Sequence, residues 1–182
     1  MTKVFIGGSR KITRLSAPVR ERLDRIIENE LAVLVGDANG ADRAVQRHLS
    51  GRGYMRVEVF CTNGECRNNL GEWVTRAVSA PRGARGFDYY AVKDEQMARE
   101  CSVGFMLWDG KSRGTLANVV RLVEKNKKAV IFVVPEKQFV TIRDEQDLRS
   151  FLRSGDKQLP KKKKKTDHSL QPVPGTVHPS LF

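Results

Sequence analysis

The sequence predicts an α/β fold, a three-layer sandwich built on a mainly parallel five-stranded sheet. Two observations carry this. Short apolar runs alternate with amphipathic helical segments, and the runs are continuously apolar, as strands covered on both faces are. Strands are expected to begin near Lys3, Ala32, Val57, Val103 and Ala129, with helices on both sides of the sheet.

Lys3 to Ile6 is a short β-branched and aromatic run that stops at Gly7-Gly8, and Ser16 with Pro18 then opens a helix with Val19, Leu23, Ile26 and Ile27 on its apolar face. Ala32 to Val35 repeats the strand pattern, and Ala41, Ala44, Val45, His48 and Leu49 recur at helical spacing. Val57 to Phe60 is the third strand. Asn68 to Val78, carrying Leu70, Trp73 and Val74, reads as a helix. Residues 81–86 form a loop by their breakers, either a basic flap through Arg82 and Arg85 or a solvated turn. A helix from about Asp88 to Glu100 leads into the strand Val103 to Trp108. Then come a Gly-containing turn, a helix from Thr115 to Asn126 and a buried strand from Ala129 to Val134. Val140 to Ile142 suggests an edge strand, and Asp144 to Leu152 a last short helix.

The folded domain is therefore assigned to residues 1–154 of the 182, a length that suits one core. Residues 155–182 hold five consecutive Lys and four of the seven Pro and are expected to be a disordered tail. That lysine run reads as a polyanion contact or as a solubilising terminus. The net charge is +12; six Lys and two Asp of the tail carry +4 of it and leave +8 for the body. Anionic partners follow from such a charge, nucleic acid among them. No apolar run approaches the roughly 20 residues of a membrane span, so no membrane partner and a cytoplasmic location are expected. Cys61, Cys66 and Cys101 suit reduced thiols, and with His48 as the one His of the body no metal site is expected.

In an open parallel sheet, ligands bind beyond the carboxyl ends of the strands. Three loops fit that place. Gly8, Ser9 and Arg10 follow the first strand, where the glycines allow either backbone approach by a ligand or a tight strand exit, and Arg10 offers a fork of donors. Asp37, Asn39, Gly40 and Asp42 precede the second helix; Asp37 or Asp42 would accept from a ribose hydroxyl, or Asp42 would complement the helix dipole. Asp109, Gly110, Lys111, Ser112, Arg113, Gly114 and Thr115 combine two Gly, two cations and two hydroxyls before a helix, which makes an anion site. The upstream glycine of a Walker A loop is missing. On the preceding helix Asp94 shares a stripe with Tyr90, Met97 and Cys101, an acid that needs a ligand pocket or an Arg partner, and Lys93 reaches the same place from the helix edge.

Taken together, Gly7-Gly8-Ser9-Arg10, Gly36 to Asp42, Lys93 to Met97 and Trp108 to Thr115 resemble the SLOG superfamily over about residues 3–134. The resemblance implies a Rossmann-like fold that binds nucleotides or nucleotide-derived ligands, with Lonely Guy phosphoribohydrolases and DNA processing protein A as relatives. The enzymes of that superfamily carry a Pro-Gly-Gly-x-Gly-Thr-x-x-Glu turn and an Arg four residues before a Met. Here Gly114 and Thr115 match, while Asn118 stands at the Glu position, Lys93 at the Arg position and Gly110-Lys111-Ser112 in place of Pro-Gly-Gly. Asn118 offers no acid or base for N-glycosidic hydrolysis.

The leading expectation is a sensor or binding module for a phosphorylated nucleotide-derived small molecule, without a cofactor. The alternatives are an N-glycosidic hydrolase, with Asp94, Asp109 or Asp37 as its carboxylate, and a nucleic-acid binder; a homo-oligomer is compatible with each.

Overall fold

The computed structural model describes residues 1–154; the tail expected from residue 155 onward lies outside the described residues. Its elements run β1 (Lys3–Gly8), α1 (Ala17–Glu28), β2 (Ala32–Gly36), α2 (Ala41–Gly51), β3 (Val57–Thr62), β4 (Val74–Val78), α3 (Gly86–Glu100), β5 (Val103–Trp108), α4 (Arg113–Glu124), β6 (Ala129–Val133), β7 (Gln138–Ile142) and α5 (Glu145–Arg153). The strand order is β4-β3-β2-β1-β5-β6-β7, parallel throughout except for the antiparallel pair of β6 and β7.

The sheet thus has seven strands where five were expected, and both additions are at its edges. β7 extends the Val140 to Ile142 run and is reached by a tight turn in which Lys137 has φ 52°. β4 replaces the second half of the helix expected over Asn68 to Val78. Trp73 decides this: its indole N–H donates to the Tyr54 carbonyl at 2.8 Å, and the Asn69 amide accepts from Trp73 N–H and donates to Trp73 C=O. The ring is anchored against α2's exit, and the β-branched residues after it pair with β3 instead of continuing a helix.

Alternation along each strand sorts the core into two layers. Val4 and Ile6 of β1 with Phe105 and Leu107 of β5 meet α1 and α2; Phe5, Met106 and Trp108 meet α3, α4 and α5. Burying some 1.5–3 kcal/mol of apolar side chain at each such position drives the sandwich together. The thiols also differ from expectation. The turn through Asn63 and Gly64 doubles the chain back after β3, bringing the Cα atoms of Cys61 and Cys66 to 5.1 Å, and the two form a disulfide. Cys101 is free and buried. Among the described residues no helix is long and apolar enough to cross a membrane.

Candidate functional site

β1 pairs with β2 on one side and β5 on the other, so the chain leaves the sheet in opposite directions from two adjacent strands. A crevice opens where their loops part. Ser9 ties those loops together. Its N–H donates to Leu107 C=O at 3.0 Å, and its own carbonyl accepts from Ile12 and Ala41 N–H at 3.1 and 3.0 Å. Its hydroxyl donates to Asp109 Oδ2 at 2.8 Å, while Asp109 Oδ1 accepts from the N–H groups of Lys111 and Ser112. Burial alone would raise the Asp109 carboxyl, yet these donors hold it below its ordinary value. Gly8 serves packing: a Cβ there would press on Leu107 and Ala41.

Beneath the loops is an ionic cluster. Lys93 is buried on α3, with its ammonium 3.2 Å from Asp94 Oδ1, 3.7 Å from Asp37 and 3.9 Å from Asp42. Burial would lower its pKa, but the three carboxylates raise it above the ordinary lysine value. Gly36 makes room for this, since a Cβ at that position would strike both Lys93 Nζ and Asp42 Oδ2. Asp42 accepts from Ala38 N–H at 3.1 Å, and burial pushes its pKa up to about 6 against the pull of Lys93. Asp37 has a second cation: Arg67 Nε and Nη2 donate to its two oxygens at 2.9 and 2.7 Å. Burial opposes ionisation of Asp37 and Arg67 outweighs it, so its pKa is lowered. The Arg67 guanidinium also lies over the Tyr90 ring at 4.5 Å, which Arg10 approaches at 5.1 Å.

The third loop ends in an N-cap, where Ser112 Oγ accepts from the N–H and the hydroxyl of Thr115. One turn on, Asn118 donates to Asp94 Oδ2 at 3.0 Å and accepts from Arg121 at 2.6 Å. Asp94 is thus held by Lys93 and Asn118 and not by an Arg.

These groups surround a cavity of about 520 Å3. Gly8, Ser9 and Arg10 line it from the first loop, Asp42, Lys93 and Asp94 from the cluster, and Asp109, Lys111, Ser112, Gly114, Thr115 and Asn118 from the third loop and α4. Five of the anticipated residues stand behind or beside it. Asp37 is buried under Arg67, Asn39 accepts from the Asn68 side chain, Gly40 with φ 87° lies where a Cβ would strike the Arg10 backbone, a Cβ at Gly110 would meet Pro135, and Arg113 is exposed. Of the three carboxylates considered for hydrolysis, Asp37 is locked by Arg67 outside the cavity, while Asp94 and Asp109 both line it, Asp109 with its oxygens already taken by the Ser9 hydroxyl and two backbone N–H groups. Lys11, Arg67, Phe87 and Tyr90 line the cavity without having been singled out as ligand residues. Arg67 follows a strand's carboxyl end, and that position was the one signal available for it.

The structure is similar to that of DNA processing protein A from Helicobacter pylori, described for its single-stranded DNA binding mode, with a TM-score of 0.55 and 15% identity over 86% of this chain and 74% of that one. It is also similar to DNA processing protein A (DprA) from Streptococcus pneumoniae, with a TM-score of 0.50 and 16% identity over 82% of this chain and 61% of that one. The chain has the Rossmann-like fold of DNA processing protein A. That is the fold implied by the SLOG resemblance, and at these identities the likeness is one of fold. The chain spans about three fifths of the length of the Streptococcus protein. No family model matches the chain, and no curated protein does.

Proposed function

We propose that the cavity at the β1 and β5 loops binds a phosphorylated nucleotide unit. The observation that carries this is the cavity's polarity. Arg10, Lys11 and Lys111 lie on its exposed side together with the N-terminus of α4, and Asp42 and Asp94 lie on its buried side around Lys93. A phosphate suits the first set, by charge and by backbone donors, and a group with hydroxyl or amine donors suits the second. Tyr90 and Phe87 add aromatic surface to the lining. Thermal-shift titration with nucleoside monophosphates tests the reading, with Gly114→Val as the control. A Cβ at Gly114 meets only Phe87 at 3.6 Å and Ser112 at 4.0 Å, so the position has room for a side chain, and a branched one should occupy phosphate space; the variant's own melting point checks that it folds. Stabilisation of the wild type that Gly114→Val loses supports the proposal; equal stabilisation of both overturns it.

Single-stranded DNA is the second reading. The Helicobacter pylori protein of the same fold binds it, and the body charge of +8 is accompanied by exposed cations at the carboxyl end of the sheet, Arg10, Lys11, Arg82, Arg85 and Lys111 in loops and Arg113 at the start of α4. Affinity that grows with strand length and falls steeply with salt favours this reading over a free nucleotide.

A further inference from the structure

A second cavity, of about 430 Å3, shares Lys11 and Asp109 with the first. The β1–α1 loop and the ends of β5 and β6 build it. Ile12, Leu15, Leu107, Phe132 and Val134 make it apolar, and Lys11, Arg14 and Lys137 supply its cations. Asp109 is its one acid, and that carboxylate already accepts from the Ser9 hydroxyl and two backbone N–H groups. Both cavities fall in the range of about 300–1,000 Å3 typical of small-molecule sites.

Building on the proposed nucleotide site, we infer that the second cavity is a subsite for a second nucleobase, so that the ligand is two nucleoside units joined by a phosphate that meets Lys11. Apolar walls with cations among them fit this occupant. A base offers apolar faces and is tethered to phosphate, whereas a free phosphate has no use for Leu107 and Phe132, and an uncharged apolar group has none for three cations. Continuity through Lys11 puts the charge where the connecting phosphate of such a ligand falls. The same chemistry occurs in a free dinucleotide and in a stretch of single strand.

The test measures calorimetric affinities of the full chain for deoxyadenosine monophosphate, for its 5′-phosphorylated dinucleotide and for a longer strand of the same base. Val134, 37% exposed, is replaced by Glu, and Lys137 by Asn, which tolerates the φ of 52° at that turn. The wild type should bind the dinucleotide at least roughly tenfold more tightly than the monophosphate. Val134→Glu should erase that advantage and leave monophosphate binding unchanged, and Lys137→Asn should reduce it. A further gain with the longer strand identifies the source as single strand, and no further gain identifies a free dinucleotide. Equal affinity for monophosphate and dinucleotide, or Val134→Glu weakening both alike, overturns the subsite. A wild type that binds no monophosphate and a Gly114→Val variant that binds the dinucleotide normally overturn the first-cavity reading instead.

Discussion

Arg67 grips both carboxylate oxygens of Asp37 while its guanidinium covers the Tyr90 ring at 4.5 Å. A single side chain from the β3–β4 loop therefore fixes the back of the ionic cluster and one wall of the cavity. Asp37 is almost fully buried, and Arg67 keeps about a third of its side chain in solvent.

Removing that grip should be costly. In Arg67→Ala, Asp37 keeps only the more distant Lys93 as a cationic partner, and a loss of about 1–2 kcal/mol is expected once solvent screening of the partly exposed Arg is allowed for. Arg67→Ala combined with Asp37→Asn should recover part of it. Urea unfolding of the two variants measures both; an unchanged midpoint in the single variant contradicts the assignment.

Asp42 sets a pH dependence with the sign opposite to that of most acids. Its folded pKa is raised from 3.8 to about 6, so between those values the native chain holds a proton that the unfolded chain has released. Stability contributed by protonated Asp42 is fully present below pH 3.8 and lost as pH rises through 6, by at most about 3 kcal/mol. Asp42→Asn keeps an acceptor for Ala38 N–H and should flatten this decline. Unfolding midpoints at about pH 4.5 and about pH 7 check it; a variant that retains the full decline refutes it.

Three glycines should respond differently to alanine. Gly36→Ala drives a methyl into Lys93 and Asp42 and should destabilise by about 2–4 kcal/mol. Gly114→Ala meets only ordinary contacts, and Gly51→Ala in α2 meets nothing within 4 Å and should stabilise by about 0.4–1 kcal/mol. Thermal melts of the three variants give the ranking directly, and Gly36→Ala melting like wild type would remove the packed ionic cluster.

Thiol counting tests the pairing of Cys61 with Cys66. Denatured without reductant, the chain should expose one reactive thiol, that of Cys101, and after reduction all three. Three thiols before reduction would mean that the pair is open.

Asn118 separates binding from chemistry. Asn118→Ala removes one donor to Asp94 and the acceptor of Arg121, and nucleotide binding should weaken by less than about tenfold. Unchanged binding with loss of a measured N-glycosidic hydrolysis would instead make this residue part of an enzyme.

The five inner strands and the three glycine-bearing loops were readable because continuous apolar runs end in breakers, a local signal. β4 was not, because Leu70, Trp73 and Val74 fall at helical spacing and the carbonyl that captures Trp73 belongs to Tyr54, on another element. Lys93 and Asp94 could be marked on one helix, but their meeting with Asp37 and Asp42 depends on how α3 docks over β2, which spacing along one helix does not encode. Arg67 belongs to no periodic pattern, and the disulfide depends on a turn at Asn63 and Gly64 that brings two cysteines into reach.

The carbonyl of Ser9, shared between Ile12 and Ala41, joins two loops, and the Ser9 hydroxyl adds the third. The mould is held by the protein's own hydrogen bonds. The conformational entropy of ordering these segments is lost on folding and not on association, so a ligand should dock without a slow isomerisation and with little loop-ordering penalty. Damage to this frame should then appear first as a less stable protein and only afterwards as a weaker binder.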